Sequence, residues 1–148
     1  MEDTEGKKQT PQGLWLSILN RVPAEEVKAF VEGLLPQLEP HPLEVLQNRT
    51  GLVMLPGQDT AQGECFHLGE VLVSEAWVRL AGHQGYTLCL GRDLEQALAV
   101  AILDAALQAD LETPLIQTFV NQHKILQQAQ DLTLLLQVEA TRVEMETF

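Results

Sequence analysis

Residues 69–108, GEVLVSEAWVRLAGHQGYTLCLGRDLEQALAVAILDAALQ, limit what this chain can fold into more than any other stretch. Two β-rich runs flank a turn at Ala81-Gly82-His83-Gln84-Gly85, and the second passes through Gly91-Arg92-Asp93 directly into an alanine-rich helix. Ala76, Val78 and Leu80 alternate with Trp77 and Arg79, the period of two of a half-buried strand. Tyr86 to Leu90 is continuously apolar, which suits a central strand. Asp93 can cap the helix, and Gln96, three residues on, completes a capping-box pattern. Leu94, Ala97, Leu98, Ala101, Ile102 and Ala105 form its apolar face, where the small side chains at 97, 101 and 105 allow close approach to a sheet.

The flanks add helices. Residues 1 to about 11 are polar and expected to fray. Leu14, Trp15, Ile18 and Leu19 then share a helical face. Pro23 opens a second helix, with Glu25 and Glu26 at the positive end of its dipole and Val27, Phe30, Val31 and Leu34 as its apolar stripe. Pro36 is expected to end it. Leu43–Asn48 reads as a strand or a helical turn, Gly51–Leu55 as a strand closed by Pro56-Gly57, and Gln58–Glu64 as a polar loop. Cys65–Val73 and Ala76–Leu80 read as β, one long strand bent near Ser74-Glu75 being one option. Thr113-Pro114 looks like a cap with proline behind it, starting a helix to about Arg142 whose face is Leu115, Phe119, Gln122, Leu126 and Ala129. The run Leu132–Val138 is apolar nearly all round and reads as buried or partly extended. These elements predict an α+β fold in one domain spanning 1–148. An antiparallel sheet is packed with helices, two at the N-terminus and a long one at the C-terminus.

Acids outnumber bases 21 to 9, for a net charge of −12. Such a surface repels polyanions and anionic membranes, so neither nucleic acid nor membrane is an expected partner. The N-terminal stretch lacks the apolar core of a secretory signal, and no run reaches the ~20 apolar residues of a membrane span, so a cytoplasmic protein is expected. Cys65 and Cys89 could be a redox pair or half a metal site. Without CxxC spacing they read as small core hydrophobes. His41, His67, His83 and His123 are far apart, which argues against a metal site. Ser17 and Ser74 lack a nucleophile-elbow context. Neither glycine-rich phosphate motif is present.

Gly91-Arg92-Asp93 is the strongest local candidate. A helix start with an arginine suits a phosphate or carboxylate, yet Asp93 can occupy the same N–H groups as a cap. Asp104 sits within an apolar helix, at the edge of its packed face. It is either solvated or paired, with Arg79 or Arg92 as the expected partner. The apolar end of the last helix packs on its own domain or is buried against another chain, and the second reading is preferred.

Several short segments occur in an order that carries a resemblance: Gly51-Leu-Val-Met, Phe66-His-Leu-Gly-Glu-Val-Leu-Val, Val78-Arg-Leu, Gly85-Tyr, Leu90-Gly-Arg-Asp, Leu103-Asp-Ala-Ala-Leu-Gln and Ala140-Thr-Arg-Val-Glu. Together they resemble the G subunit family of the phosphonate carbon–phosphorus lyase system, from about Leu14 onward. The resemblance implies an accessory subunit of the lyase core complex. It would be needed for transfer of an alkylphosphonate to C1′ of the ATP ribose with displacement of adenine, as in ribose 1-methylphosphonate 5-triphosphate synthase. No independent activity and no catalytic or metal-binding residue of its own are expected. ATP and Mg would serve the complex, and the partners would be the other lyase subunits in an oligomeric assembly. The polar positions that carry over are Glu70, Arg79, Arg92, Asp93, Asp104 and Arg142, expected to organise the fold or an interface, or to contact an anion. His67 stands where the family pattern has Asn, Glu75 replaces a basic residue, and the loop Pro56–Gly63 has lost basic character. Two other readings are a stand-alone binder of small anions at Gly91-Arg92-Asp93, and an acidic scaffold that dimerises.

Overall fold

A computed structural model describes residues 11–58 and 65–146. The chain runs α1 (Pro11–Leu19), α2 (Ala24–Leu38), β1 (Leu43–Gln58), β2 (Cys65–Leu80), β3 (His83–Leu90), α3 (Leu94–Gln108) and α4 (Thr113–Glu146). The three strands form an antiparallel meander in the order β1-β2-β3. This is the α+β arrangement expected.

β2 is the central strand, and β3, expected there from its apolar run, lies at an edge. The reason is visible in its burial pattern. Gly85, Thr87 and Cys89 face inward, while Tyr86, Leu88 and Leu90 face out on a side no helix covers. An unbroken apolar run therefore marks two differently occupied faces here, not two buried ones. The segments read separately as Leu43–Asn48 and Gly51–Leu55 are one strand that continues through Pro56. The register shifts between Leu55 and Pro56, and a proline is tolerated because β1 is an edge strand. Residues 65–80 likewise form one strand. The β2–β3 connection is the two-residue turn Ala81-Gly82, with φ of 51° and 83°, tighter than the five-residue turn expected.

α3 lies across the inner face of the sheet. Its N-cap is Asp93, whose carboxylate accepts the N–H of Gln96, as expected. Gly85 is the point of closest approach. A Cβ there would lie 2.8 Å from the Cβ of Ala105 and against the carbonyl oxygen of Ala101, so the glycine and the alanine stripe together set the helix–sheet spacing. The expected one-sided apolar face is wrong in extent. Ala97 and every residue from 99 to 106 are buried, because α1, α2 and α4 close over the side away from the sheet. Leu94, placed on that face, is partly exposed.

α1 begins at Pro11, and residues 1–10, where fraying is expected, lie outside the described part. Ile18 and Leu19 are buried. α2 buries Val27, Val31, Leu34 and Leu38, and it continues two residues past Pro36. The proline removes one hydrogen bond, to a carbonyl on an exposed turn, while burial of Leu38 holds the last residues in helix.

α4 starts at Thr113, where the hydroxyl donates to Asp110 at 2.6 Å rather than accepting a helix N–H. Its buried stripe is Ile116, Val120, His123 and Gln127, one position away from the expected Leu115–Phe119–Gln122–Leu126. Leu115 and Leu126 are about half exposed. Phe119, of the expected set, borders the buried stripe: it is half-buried and stacked on Phe30 of α2 at 4.1 Å. The run Leu132–Val138 is neither buried nor extended; it is helical, and its side chains are exposed in the single chain.

Candidate functional site

Asp104 is the most enclosed charged group described, with no exposed surface. The expected partner, Arg79 or Arg92, is not what it meets. Its carboxylate accepts from Trp15 Nε1 at 2.8 Å, Gln12 Nε2 at 3.0 Å and the backbone N–H of Tyr86 at 2.9 Å. Three donors replace the hydration that burial removes, so no cation is needed beside it. The knot ties α1, α3 and β3 together. The sequence pattern places Trp15 only as an apolar residue. An indole buried on a helix face needs an acceptor for its N–H, and a lone acid on a second apolar helix is the matching signal.

A second polar knot sits at the start of α3. Ser74, fully buried in β2, donates its hydroxyl to Gly91 O at 2.8 Å and accepts the N–H of Asp93 at 2.8 Å. Asp93 also meets Lys28 at 3.3 Å. The backbone N–H of Gln96, followed by Lys28, holds its carboxyl below the usual value of 3.8. The helix start that could have received an external anion is thus occupied by the chain's own carboxylate. Arg92 beside it is exposed. Both oxygen functions of Ser74 are committed, which leaves no nucleophile there.

A third cluster lies on the uncovered outer face of the sheet. Glu75 accepts from Arg49 Nε at 2.9 Å and from Tyr86 Oη at 2.6 Å. The tyrosine hydroxyl, then Arg49, lowers the carboxyl, while burial followed by Glu75 pushes the phenol up to about 12. Arg49, opposite Glu75 on the neighbouring strand, supplies the opposite charge. Trp77 pairs across from Tyr86, and Arg79 meets Glu44 at 3.2 Å on the same face.

The remaining candidates do not join these clusters. Glu70 is exposed on β2 opposite Met54, roughly 30 Å along the strand from Arg79. Arg142 lies near the end of α4, with Glu139 at 3.9 Å. Cys89 is buried, with its thiol raised by that burial and its Sγ 3.0 Å from Asn20 Oδ1. Its environment is that of a core residue. The side chains of Cys65 and His67 lie outside the described part, and with them the paired reading of the cysteines and the departure from the family pattern at His67. His123 is buried against Phe119, 3.6 Å from Glu26. Among the described residues no three His, Cys, Asp or Glu side chains converge as cation ligands, and no helix is long and apolar enough to cross a membrane.

Among the described residues most of the positive charge already faces acids of the same chain. Arg21 faces Asp131, Lys28 faces Asp93 and Glu95, Arg49 faces Glu75, Arg79 faces Glu44 and Arg142 faces Glu139. Gathering a polyphosphate on such a surface would require breaking several of these pairs.

The chain is similar to known proteins of phosphonate metabolism. It is 36% identical over 99 residues to the alpha-D-ribose 1-methylphosphonate 5-triphosphate synthase subunit PhnG of Rhizobium meliloti (strain 1021), a match that takes in 66% of this chain and 64% of that protein, a little under two thirds of its length. The family model described as phosphonate metabolism protein PhnG matches residues 11–148, all of the chain but its first ten residues, and the chain therefore belongs to the PhnG family of phosphonate metabolism proteins.

Proposed function

We propose that this chain is the G subunit of a ribose 1-methylphosphonate 5-triphosphate synthase in the carbon–phosphorus lyase system, required by the assembly and inactive alone. The observation that carries the reading is the family match along residues 11–148, joined by a relative that is itself named a synthase subunit. The reaction joins an alkylphosphonate to C1′ of the ATP ribose: a phosphonate oxygen forms the bond to C1′, and the N-glycosidic bond to adenine breaks. ATP is a substrate of the assembly and Mg its companion ion. The polar groups of this chain form cross-links between its own elements at Asp104, Asp93 and Glu75, which suits a positioning subunit better than a site that performs displacement at C1′. The other synthase subunits are the partners, in an oligomeric assembly in the cytoplasm.

The test is adenine release from ATP and methylphosphonate by the co-expressed partner subunits, with and without this chain. Adenine is expected only when the chain is present and co-purifies. Equal release without it would remove the reading. The small-anion reading loses ground because Asp93 fills the helix start. It predicts a thermal shift of the isolated chain with methylphosphonate or triphosphate, since a ligand that binds only the folded state raises its melting temperature.

A further inference from the structure

Every described residue of α4 from 128 to 142 is exposed. Among the described residues, the helix is tied to the body by Gln127 Nε2 to Ile18 O at 3.0 Å and by Arg21 to Asp131 at 2.9 Å. Beyond them come Leu132, Leu134, Leu135, Leu136 and Val138, each more than half exposed. At 100° per residue these five spread over about 200° of the helix circumference, with Thr133 and Gln137 on the opposite side, so a flat surface could cover only some of them. Contiguous apolar surface of this kind marks an interaction site, and its breadth fits a concave groove better than a flat face.

Charge indicates what fills that role. Residues 128–146 hold four acids, Asp131, Glu139, Glu144 and Glu146, against one base, Arg142. The whole chain carries −12. Two such arms lying together would bring acids against acids at close range. Among the described residues most bases already face acids of the same chain, so the described body offers little compensating charge.

We propose that residues 128–142 of α4 form an insertion arm that docks in an apolar groove, rimmed by lysine and arginine, on a different protein chain of the same assembly. The proposal rests on the subunit reading above and assigns the surface through which it operates.

The test uses the full chain co-expressed with the other synthase subunits, one of which is tagged. The variant Leu134→Gln/Leu136→Gln keeps good helix formers and touches nothing in the body, so its melting temperature should match wild type. Its retention by the tagged partner should fall roughly thirtyfold or more, the loss expected when anchors in the centre of an interface become polar. Added salt should weaken the wild-type complex, and Glu139→Gln should be less salt-sensitive. If wild type and the double variant are retained equally, the arm is not the interface, while the subunit reading stands. If wild type is not retained at all, the subunit reading fails and takes the arm with it. A stable dimer of the isolated chain that the double variant dissolves would assign the arm to a second copy and overturn the proposal.

Discussion

Replacing Gly85 by alanine adds one methyl group at the tightest point between α3 and the sheet. That methyl would stand 2.5 Å from the backbone nitrogen of Ala105 and 2.8 Å from its Cβ, and against the carbonyl of Ala101. Carbon makes favourable contacts at ~3.5–4.0 Å, so α3 must retreat by roughly 1 Å, and no rotamer change can relieve a clash with backbone. Overpacking of this kind costs about 1–3 kcal/mol. The retreat also draws Asp104 away from the Tyr86 N–H, the next residue along β3, and an orphaned buried donor costs about 1–3 kcal/mol more. Against this, alanine restricts the unfolded chain and returns about 0.4–1 kcal/mol. The net expectation is a loss of about 3 kcal/mol, read as a fall in Tm of roughly 6–12 °C for a domain of this size. Gly33→Ala is the matched control. Gly33 lies within α2, and a methyl group there would meet nothing within 4 Å, so the same chemical change should stabilise by about 0.5–1 kcal/mol. Thermal denaturation of the two variants should give opposite signs. If Gly85→Ala melts within about 2 °C of wild type, well inside the expected shift, the helix–sheet spacing is not set at that glycine and the argument fails.

Asp104→Ala should cost about 2–4 kcal/mol, because it leaves Trp15 Nε1, Gln12 Nε2 and the Tyr86 N–H without their shared acceptor. Urea denaturation followed by tryptophan fluorescence measures this, and a midpoint unchanged from wild type would refute the knot. Tyr86 is the sole tyrosine, so an ultraviolet titration reports it alone. Its phenolate should appear near pH 12, and Glu75→Gln should bring the midpoint back toward 10. Because the folded phenol titrates above the unfolded one, its contribution to stability is complete below pH 10 and is lost as pH rises toward 12. Asp93 works in the opposite sense. Its carboxyl is held below 3.8, so its contribution is complete above that value and disappears as pH falls through the lower folded value. Asp93→Ala should flatten the acid limb of a stability–pH curve and cost about 1 kcal/mol of capping at neutral pH; an acid limb identical to wild type would contradict it.

What the sequence made legible was local. The cap at Asp93 needs only Gln96, three residues away, and the close approach of α3 is written in alanines at 97, 101 and 105, although the glycine that receives them reads only as part of a turn. What it hid depends on distant partners. Whether Tyr86–Leu90 is central or at an edge is decided by what covers its outer face, and nothing within the strand states this. The stripe on α4 is set by where Ile18 and Phe30 lie, so leucines at 115 and 126 mislead by one position. The acceptor role of Asp104 can be guessed, but its indole partner lies 89 residues away, and arginines nearer in sequence are the more obvious match. The apolar run at 132–138 is recognisable as unusual. Its exposure follows from its distance along the helix past the tie to α1, which a residue pattern does not encode.

The position of α3 has a consequence for how the chain is made. Val27, Val31 and Leu34 of α2, like Trp15 of α1, find their packing partners on a helix that ends roughly 70 residues after α2 does. At ~5–20 residues per second, the first two helices leave the ribosome about 4–14 s before the surface they need has been synthesised. The β2–β3 hairpin and α3 are contiguous and closed by short-range contacts, so they can form as soon as they emerge. The expected order of folding therefore runs from the middle outward, with the N-terminal helices, first to be translated, among the last parts to be sheltered.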